Sequence, residues 1–256
     1  MSVYTTEITS AKIHSDNPIH QRLLSAYHFA KPYIEGDLLE LGCGEGRGVE
    51  ILAPLAKRYQ GIDKIEGIIK QLRIKYPDHD FMSGTFPPFP FKDNEFDLVI
   101  AFQVIEHVKK DEEFLREVHR MLKPRGVALI TTPNIKMTLS RNPWHIREYT
   151  GRQLKELCEK YFANVEMKGI AGNEKVTKYH EQNRVSVNKI MKYDILNLQH
   201  KLPASLLSKP YEILNRINRE RLKSNDNELV KSIKWDDFKL GEPDECDLDL
   251  FCVVTK

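Results

Sequence analysis

The sequence has few cysteines and no long apolar run. Its four cysteines, Cys43, Cys158, Cys246 and Cys252, show no C-x-x-C spacing, which argues against a zinc site and against a disulfide scaffold. The N-terminus has no basic stretch followed by an apolar one, and no window approaches the roughly eighteen apolar residues of a membrane-spanning helix. We therefore expect a soluble, cytoplasmic protein in a reducing compartment, without a transmembrane segment.

An excess of either charge is also missing. The 39 basic and 37 acidic side chains leave a formal net charge of +2, so no global electric field attracts nucleic acid or an anionic membrane. Contacts with such partners would have to be local. The 256 residues are enough for one sizeable core, or for a core domain that carries an insertion.

Strand-like and helix-like patterns alternate over most of the chain. Residues 38–41 form a short apolar run that ends in glycines, and Phe96–Phe102 is a continuous apolar run typical of a parallel strand buried on both faces. A helical pattern follows each run, and Pro54 should kink or shorten the first of these helices. The alternation predicts an α/β fold with a Rossmann-like, doubly wound, mostly parallel sheet of seven strands.

The pattern changes after Gly172 and divides the chain. Between residues 175 and 223, eleven Lys/Arg stand against four Asp/Glu. Apolar residues at helical spacing, Ile195 and Leu196 among them, predict two helices separated near Pro203. We predict four segments, which are an N-terminal helical cap at residues 1–35, the core at 36–172, a helical insertion at 173–245, and the last strand of the core sheet at 246–256.

The strongest motif is a glycine-rich turn, Glu40-Leu41-Gly42-Cys43-Gly44-Glu45-Gly46, between a strand and a helix. Glycines permit positive φ and close approach of a ligand to the backbone, and the start of the following helix presents unpaired N–H groups. Asp63, at the end of the next strand, can accept hydrogen bonds from both hydroxyls of a ribose. Because Arg47 stands where G-x-G-x-x-G requires its third glycine, NAD or FAD is disfavoured. The alternative is that the glycines only make a tight turn.

Several stretches together carry a family resemblance. The glycine turn resembles the first motif of class I S-adenosylmethionine-dependent methyltransferases, within the broad family whose members share a Leu-Lys-Pro-Gly-Gly turn. That second turn is residues 122–126 here, with Arg125 in place of one glycine. Further matching pieces are residues 89–99, 104–108 and 132–134. The resemblance implies S-adenosylmethionine as the cofactor and methyl transfer as the activity.

The resemblance also implies cofactor contacts. The glycines are expected along the methionine and ribose portions, Asp63 at the ribose hydroxyls, and Phe102 with Gln103 beside the methionine. Thr85 replaces an acidic residue that often contacts the adenine amino group, so adenine recognition would rest on the backbone and on Phe86. The candidate cofactor-binding residues are Glu40, Gly42, Gly44, Gly46, Asp63, Lys64, Thr85, Phe86, Phe102 and Gln103.

Two histidines are the candidate catalytic residues. Methyl transfer from a sulfonium is an in-line displacement, so holding the acceptor close to the methyl group supplies much of the catalysis. A base is needed when the nucleophile carries a proton of high pKa. Ligands of open α/β sheets bind beyond the carboxyl ends of the strands, where we expect His107 and His145. We predict that one of them deprotonates the acceptor; the alternative for each is a packed, hydrogen-bonded role.

Metal binding is the alternative role for these residues. Gln103, Glu106 and His107, with the later His145, resemble the metal-binding pattern E-x-x-E-H of small-RNA 2′-O-methyltransferases and a related pattern in ubiquinone-pathway O-methyltransferases. Gln103 takes the place of the first carboxylate, so one anionic ligand is lost and the affinity for a divalent ion should fall. We therefore predict no metal site.

The methyl acceptor is the least defined part of the prediction. The stretch around Trp144 and the insertion are similar to bacterial methyltransferases associated with glycan or lipid-linked precursors. This favours a hydroxyl of a small molecule or of a glycan or lipid-linked precursor, with the insertion as the acceptor lid. The alternative for the insertion is a solvated helical pair at the sheet edge, and its basic residues are also compatible with peripheral contact with an anionic membrane.

Two other functions stay open at this point. One is an RNA methyltransferase, which the near-neutral charge and the absence of a recognisable RNA-binding segment disfavour. The other is a methyltransferase-like binding module without turnover. The sequence does not specify the atom that is methylated or the oligomeric state.

Overall fold

The alternating apolar runs form the strands of one sheet with helices between them. The computed structural model describes residues 13–194 and 197–256; residues 1–12 of the N-terminal cap, and Ile195 and Leu196 of the insertion, lie outside the described residues. The strands are β1 (Asp37–Leu41), β2 (Arg58–Asp63), β3 (Asp80–Ser83), β4 (Phe96–Phe102), β5 (Leu122–Pro133), β6 (Asn164–Gly172), β7 (Phe238–Gly241) and β8 (Asp249–Thr255). The helices are α1 (Asn17–Ala30), α2 (Val49–Leu52), α3 (Glu66–Lys75), α4 (Asp111–Met121), α5 (Gly151–Cys158), α6 (Glu174–Met191), α7 (Leu198–Lys201), α8 (Ala204–Asn225) and α9 (Asn227–Ser232).

The sheet is mostly parallel. Its strand order is β3-β2-β1-β4-β5-β8-β6-β7. β1 pairs in parallel with β2 and β4, and parallel pairing continues to β3 on one side and to β5 on the other. β8 is antiparallel to both β5 and β6, and β7 is antiparallel to β6. The α/β fold predicted from the alternation is therefore confirmed.

The described sheet has eight strands where the sequence predicted seven. The additional strand is β7, which lies inside the segment that we predicted to be a helical insertion, 173–245. It has four residues and pairs with β6, with Leu240 opposite Ile170. A segment this short does not show enough alternation to be recognised as a strand. The insertion thus returns to the sheet before residue 246.

Strand side chains alternate between two apolar cores, because successive residues of a strand point to opposite faces. Leu38 and Leu98 belong to the core that α1, α2 and α3 cover, together with residues of α6, α8 and α9. Leu39 and Val99 belong to the core that α4 and α5 cover. Helices on both faces make the sheet doubly wound, as predicted.

Pro54 shortens the first helix after the glycine turn. α2 ends at Leu52, and Pro54 lies in the 3-10 turn Ala53–Leu55 that follows. Proline lacks the N–H that would continue the helix, and its ring clashes with the preceding turn. The short helix brings the chain back to β2 within a few residues.

The N-terminal cap and the insertion are joined by a buried ion pair. Asp16 is fully buried, and its Oδ1 accepts hydrogen bonds from Arg216 and Arg219 of α8, each at 3.0 Å. The amide of Asn17 donates to two carbonyl oxygens around the C-terminus of α9. Segments from the two ends of the chain therefore form one layer over the sheet.

Glu40 connects α1 to the first two strands. Its carboxylate accepts a hydrogen bond of 2.7 Å from the hydroxyl of Tyr27 in α1 and another from the hydroxyl of Tyr59 in β2. The side chain is buried, and burial raises the pKa of Glu40 to about 7, against the effect of the two tyrosine hydroxyls. Glu40 is therefore about half protonated at pH 7 while it connects these three elements.

Replacing Glu40 with glutamine should change how folding stability depends on pH. The pKa of Glu40 in the folded state, about 7, lies above its ordinary value of 4.5, so the fold favours the protonated acid. That contribution is complete below the ordinary pKa and is lost as the pH rises through the folded-state pKa. A neutral amide avoids this loss, so E40Q should gain about 2–3 kcal/mol relative to the wild type between about pH 5 and about pH 8.

Urea unfolding at about pH 5 and about pH 8 measures the free energy of unfolding of E40Q and of the wild type. The exposed Glu35 provides the control, because E35Q should follow the wild type at both values. A stability difference between E40Q and the wild type that is the same at both pH values would show that Glu40 is ionised throughout.

Candidate active site

A cavity of about 760 Å³ lies at the carboxyl ends of the parallel strands. Its lining includes Gly42 after β1, Asp63 at the end of β2, Gln103 after β4 and Asn134 after β5. The carboxyl ends of neighbouring parallel strands meet at one edge of the sheet, where open α/β folds bind their ligands. Residues far apart in the sequence are therefore brought to one site.

The three glycines of the turn differ in what surrounds them. Gly42, Gly44 and Gly46 all have positive φ, which side chains other than glycine rarely adopt. A Cβ atom on Gly44 would meet no protein atom within 4 Å, whereas one on Gly42 would lie 2.5 Å from Val104 and one on Gly46 would lie 2.6 Å from Leu72. Gly44 thus leaves room for a ligand, and the other two glycines allow close packing of the protein itself.

Asp63 is tied to the glycine turn. Its Oδ2 accepts a hydrogen bond from the N–H of Gly44, and its Oδ1 accepts one from the N–H of Ile65, both at 2.9 Å. Each carboxylate oxygen has a second acceptor position. Asp63 can therefore hold the turn and still accept hydrogen bonds from two hydroxyls of a ligand.

Further predicted cofactor contacts line the same cavity, namely Lys64, Thr85, Phe86, Phe102 and Gln103. Gln103 has a positive φ of 57°, and its N–H donates to the carbonyl oxygen of Thr131 at 2.9 Å. Its side-chain amide donates to Asp249 at 3.3 Å. These bonds fix the backbone directly after β4 and hold the Gln103 amide at the edge of β8.

Two of the predicted cofactor contacts, Glu40 and Gly46, are not among the residues that line the cavity. The carboxyl group of Glu40 is held between Tyr27 and Tyr59, and Gly46 is a packing position beside Leu72. The sequence motif identified the turn correctly but did not show which of its side chains point to the protein interior.

The two candidate catalytic histidines are in edge contact, with ring centroids 4.9 Å apart. His107 Nδ1 lies 2.9 Å from the carbonyl oxygen of Trp144, which can only accept, so this nitrogen carries a proton. His145 Nδ1 lies 2.6 Å from the carboxylate of Glu148, and the amide of Asn142 donates to His145 Nε2 at 2.8 Å. In both neutral rings the basic nitrogen is therefore Nε2.

Glu106 lies beside the histidines and is fully buried. Burial raises its pKa to about 8, while the hydroxyl of Thr132, which donates to Glu106 Oε2 at 3.0 Å, has the opposite effect. Within the described residues Glu106 Oε1 has no hydrogen-bond partner. Ligand atoms of Glu106, His107 and His145 all lie within 4.8 Å of one another. These residue types bind divalent ions, so the cluster has a second chemical use besides proton transfer.

The sequence analysis did not predict an ion pair that lies in the cavity. Arg22 of α1 and Asp249 of β8 both line it, and the Arg22 Nε lies 3.1 Å from Asp249 Oδ2. Burial raises the pKa of Asp249, and Arg22 opposes this change. Asp249 begins the last strand, opposite Pro133 at the end of β5, so the strand register was the available signal. Nothing in the sequence pointed to Arg22.

The insertion covers the part of the cavity that contains the histidines. The ring of Tyr211 in α8 makes an edge contact with Trp144, with centroids 5.5 Å apart, and the carbonyl group of Trp144 holds His107. The cavity residues supplied by α6 and α8 are Val176, Tyr179, His180, Asn183, Val187, Tyr211, Asn215, Asn218 and Arg219. This wall is mainly neutral and polar. Across residues 13–194 and 197–256, we find no helix with the length and apolar character needed to cross a membrane.

Comparison with known proteins supports the sequence resemblance. Residues 39–130 match the family model described as a methyltransferase domain. A probable S-adenosylmethionine-dependent methyltransferase of Mycolicibacterium smegmatis is 40% identical over 48% of this chain and 50% of that protein. A ubiquinone biosynthesis O-methyltransferase of Ruegeria pomeroyi is 32% identical over 44% of this chain and 45% of that protein. This chain thus spans about half the length of the curated relatives it matches.

Solved structures agree on the fold. A SAM-dependent methyltransferase from Archaeoglobus fulgidus superimposes with a TM-score of 0.56, at 17% identity, over 93% of this chain and 94% of that one. The family match, the relatives and the sheet order agree with one another. The chain therefore carries a methyltransferase domain at residues 39–130, within a Rossmann-like fold.

Proposed function

We propose that this protein transfers the methyl group of S-adenosylmethionine to a hydroxyl of a small molecule or of a glycan or lipid-linked precursor. The observation that carries the proposal is the pair of histidines in the cavity that the glycine turn lines. Each has Nδ1 held by an acceptor, a carbonyl for His107 and the Glu148 carboxylate for His145. A hydroxyl must lose its proton when it is methylated, and a positioned histidine is suited to that task near neutral pH.

The cofactor would occupy the wall formed by the glycine turn. Gly44 leaves open space beside the backbone, and Asp63 lies next to it as an acceptor for the ribose hydroxyls. Phe102 and Gln103 would lie beside the methionine portion, and Thr85 with Phe86 at the adenine. When bound, the cofactor supplies an electrophilic methyl group on a sulfonium.

The chemical step is an in-line displacement. The acceptor oxygen forms a bond to the methyl carbon as the carbon–sulfur bond breaks, the bonding electrons stay on sulfur, and S-adenosylhomocysteine is the product. The hydroxyl proton passes to Nε2 of a histidine. Glu148 would favour the positively charged imidazole of His145 that results, as a carboxylate on Nδ1 does in other acid–base sites. The Asn142 amide occupies His145 Nε2 in this structure, so the acceptor hydroxyl would replace it.

The acceptor class rests on the relatives and on the cavity wall. The Ruegeria pomeroyi relative is named an O-methyltransferase, which supports a hydroxyl acceptor. The wall from the insertion includes Asn183, Tyr211 and Asn215, which offer amide and hydroxyl groups to a neutral polar molecule. The insertion is accordingly proposed as the acceptor lid.

Cofactor binding should fail when Gly44 is replaced with valine. The new side chain would project into the open space that the ligand must use, and the positive φ would add backbone strain. We expect loss of measurable binding of S-adenosylmethionine and S-adenosylhomocysteine in titration calorimetry. Gly241→Val is the control, since a Cβ atom there also meets no protein atom within 4 Å and the residue is not part of the cavity lining. Wild-type affinity in a folded G44V protein would remove the proposed cofactor site.

Replacing Asp63 with alanine should weaken cofactor binding by about 1.5–3 kcal/mol, the range for hydrogen bonds to a charged group. Titration calorimetry measures this change, and thermal unfolding shows whether the turn is still intact without the bonds to Gly44 and Ile65. The control is Asp80→Ala on the adjacent strand β3, where the side chain is exposed. If D63A binds S-adenosylmethionine as tightly as the wild type, another residue holds the ribose.

Loss of the catalytic histidine should slow methyl transfer. A positioned base contributes about a hundredfold to ten-thousandfold in rate, so His107→Ala or His145→Ala should lower turnover by that order with nearly unchanged cofactor affinity. Turnover is measured as S-adenosylhomocysteine released with labelled cofactor and cell extract, and mass spectrometry identifies the methylated product. His119→Ala is the control, because His119 packs against Phe162 and does not line the cavity.

The same assay separates this proposal from its rivals. Turnover of both variants within about tenfold of the wild type would show that proximity alone suffices or that another base acts. Activity that disappears with a chelator and returns with a divalent ion would make Glu106, His107 and His145 metal ligands and would end the general-base role. If the methylated product is RNA, the protein is an RNA methyltransferase and the proposed acceptor class is wrong. If the protein binds the cofactor but forms no S-adenosylhomocysteine, it is a binding module.

A further inference from the structure

The long helix α8 has two faces of opposite character. Its inner face carries the buried Asn218 and Leu222 and contributes Tyr211 to the cavity. Its outer face carries large apolar side chains in contact with water. Their exposed fractions are 61% for Leu206, 59% for Ile213, 45% for Leu214 and 58% for Ile217. Four exposed aliphatic residues on one short stretch of helix form a patch rather than scattered exceptions.

The apolar residues follow one line along the helix. At 3.6 residues per turn, Leu206, Ile213 and Ile217 fall within about 20° of a common direction, and Leu214 lies about 80° from that direction. Lys209 and Arg221 are exposed and fall about 60° to either side of the line. An apolar stripe with flanking cations is the pattern of a helix that lies in the interface of a membrane.

The charges of the insertion favour an anionic partner. Within the described residues, five exposed basic side chains of residues 175–223 have no ion-pair partner; they are Lys189, Lys192, Lys201, Lys209 and Arg221. The acidic groups of the segment are largely engaged. Glu181 pairs with Arg184, Glu220 pairs with Lys223, and Asp194 accepts hydrogen bonds from backbone N–H groups at the start of α7. The segment therefore carries net positive charge, and Lys209 and Arg221 of this group lie beside the apolar stripe.

We propose that the outer face of α8, formed by Leu206, Lys209, Ile213, Leu214, Ile217 and Arg221, docks on the surface of an anionic lipid bilayer. The aliphatic side chains enter the boundary between headgroups and acyl chains, and the cations meet lipid phosphates. A second copy of the chain fits less well, because a twofold contact through this face would bring the same cations together. Docking places the wall of the cavity that α8 forms close to the membrane.

Vesicle sedimentation tests the proposal without any methyl acceptor, so its result does not depend on the proposed function. The full chain is mixed with vesicles of phosphatidylcholine alone or of phosphatidylcholine with phosphatidylglycerol. We expect binding to the anionic vesicles that weakens at about 0.5 M salt and is at least about tenfold weaker for neutral vesicles. The double substitution Ile213→Ser with Ile217→Ser should lower binding by about tenfold or more, because it removes apolar contact with the bilayer.

Two further variants complete the test. Lys209→Glu with Arg221→Glu should abolish the preference for anionic vesicles. Ile74→Ser is the matched control, because Ile74 is an aliphatic residue of α3 with an exposed fraction of 82%, and it should bind as the wild type does. Circular dichroism and cofactor titration verify that each variant is folded. Absence of vesicle binding, equal binding by all variants, or a dimer that light scattering shows to dissociate in the serine variant would each overturn the proposal.

Discussion

Close packing at Gly42 sets how near the glycine turn lies to the segment that carries His107. Gly42 follows β1 with a φ of 71°, and a Cβ atom there would lie 2.5 Å from the Val104 side chain. The N–H of Gly42 also donates to the carbonyl oxygen of Ile62 at 2.8 Å. Because Val104 comes shortly before Glu106 and His107, any side chain at residue 42 would separate the glycine turn from the segment that carries the histidine. The distance between the glycine turn and the segment that carries His107 thus depends on a hydrogen atom in place of a methyl group.

Buried carboxyl groups gather at this edge of the sheet. Glu106 and Asp249 are both buried, and burial raises the pKa of each. Thr132 donates a hydrogen bond to Glu106, and Arg22 forms an ion pair with Asp249. A positive charge brought near a buried carboxyl group favours its ionised form, and both a sulfonium and a protonated histidine carry one. The ionisation of Glu106 and Asp249 would therefore be coupled to the charge in the cavity.

Local patterns in the sequence predicted the sheet, the glycine turn and the position of Asp63, because each depends on residues close together in the chain. Contacts between residues far apart in the chain decided which side chains line the cavity. Glu40 belongs to the motif, but its hydrogen bonds with Tyr27 and Tyr59 direct its side chain into the protein interior. The hydrogen bond from His145 to Glu148 is local, at a spacing of three residues, and could have been proposed from the sequence. The ion pair between Arg22 and Asp249 joins residues near the two ends of the chain. It could not have been proposed from the sequence.

Helix α8 links the cap, the cavity and the outer surface. Arg216 and Arg219 hold the buried Asp16, and breaking a buried ion pair by removing one partner is strongly destabilising, since it leaves a charge without compensation. The helix is therefore fixed against α1, and Tyr211 and Asn215 keep their places in the cavity wall. The exposed apolar stripe lies on the same helix, so α8 carries both an outer apolar face and part of the cavity wall. The sequence of α8 places asparagines, Asn215 and Asn218, toward the cavity and isoleucines, Ile213 and Ile217, toward the outer surface.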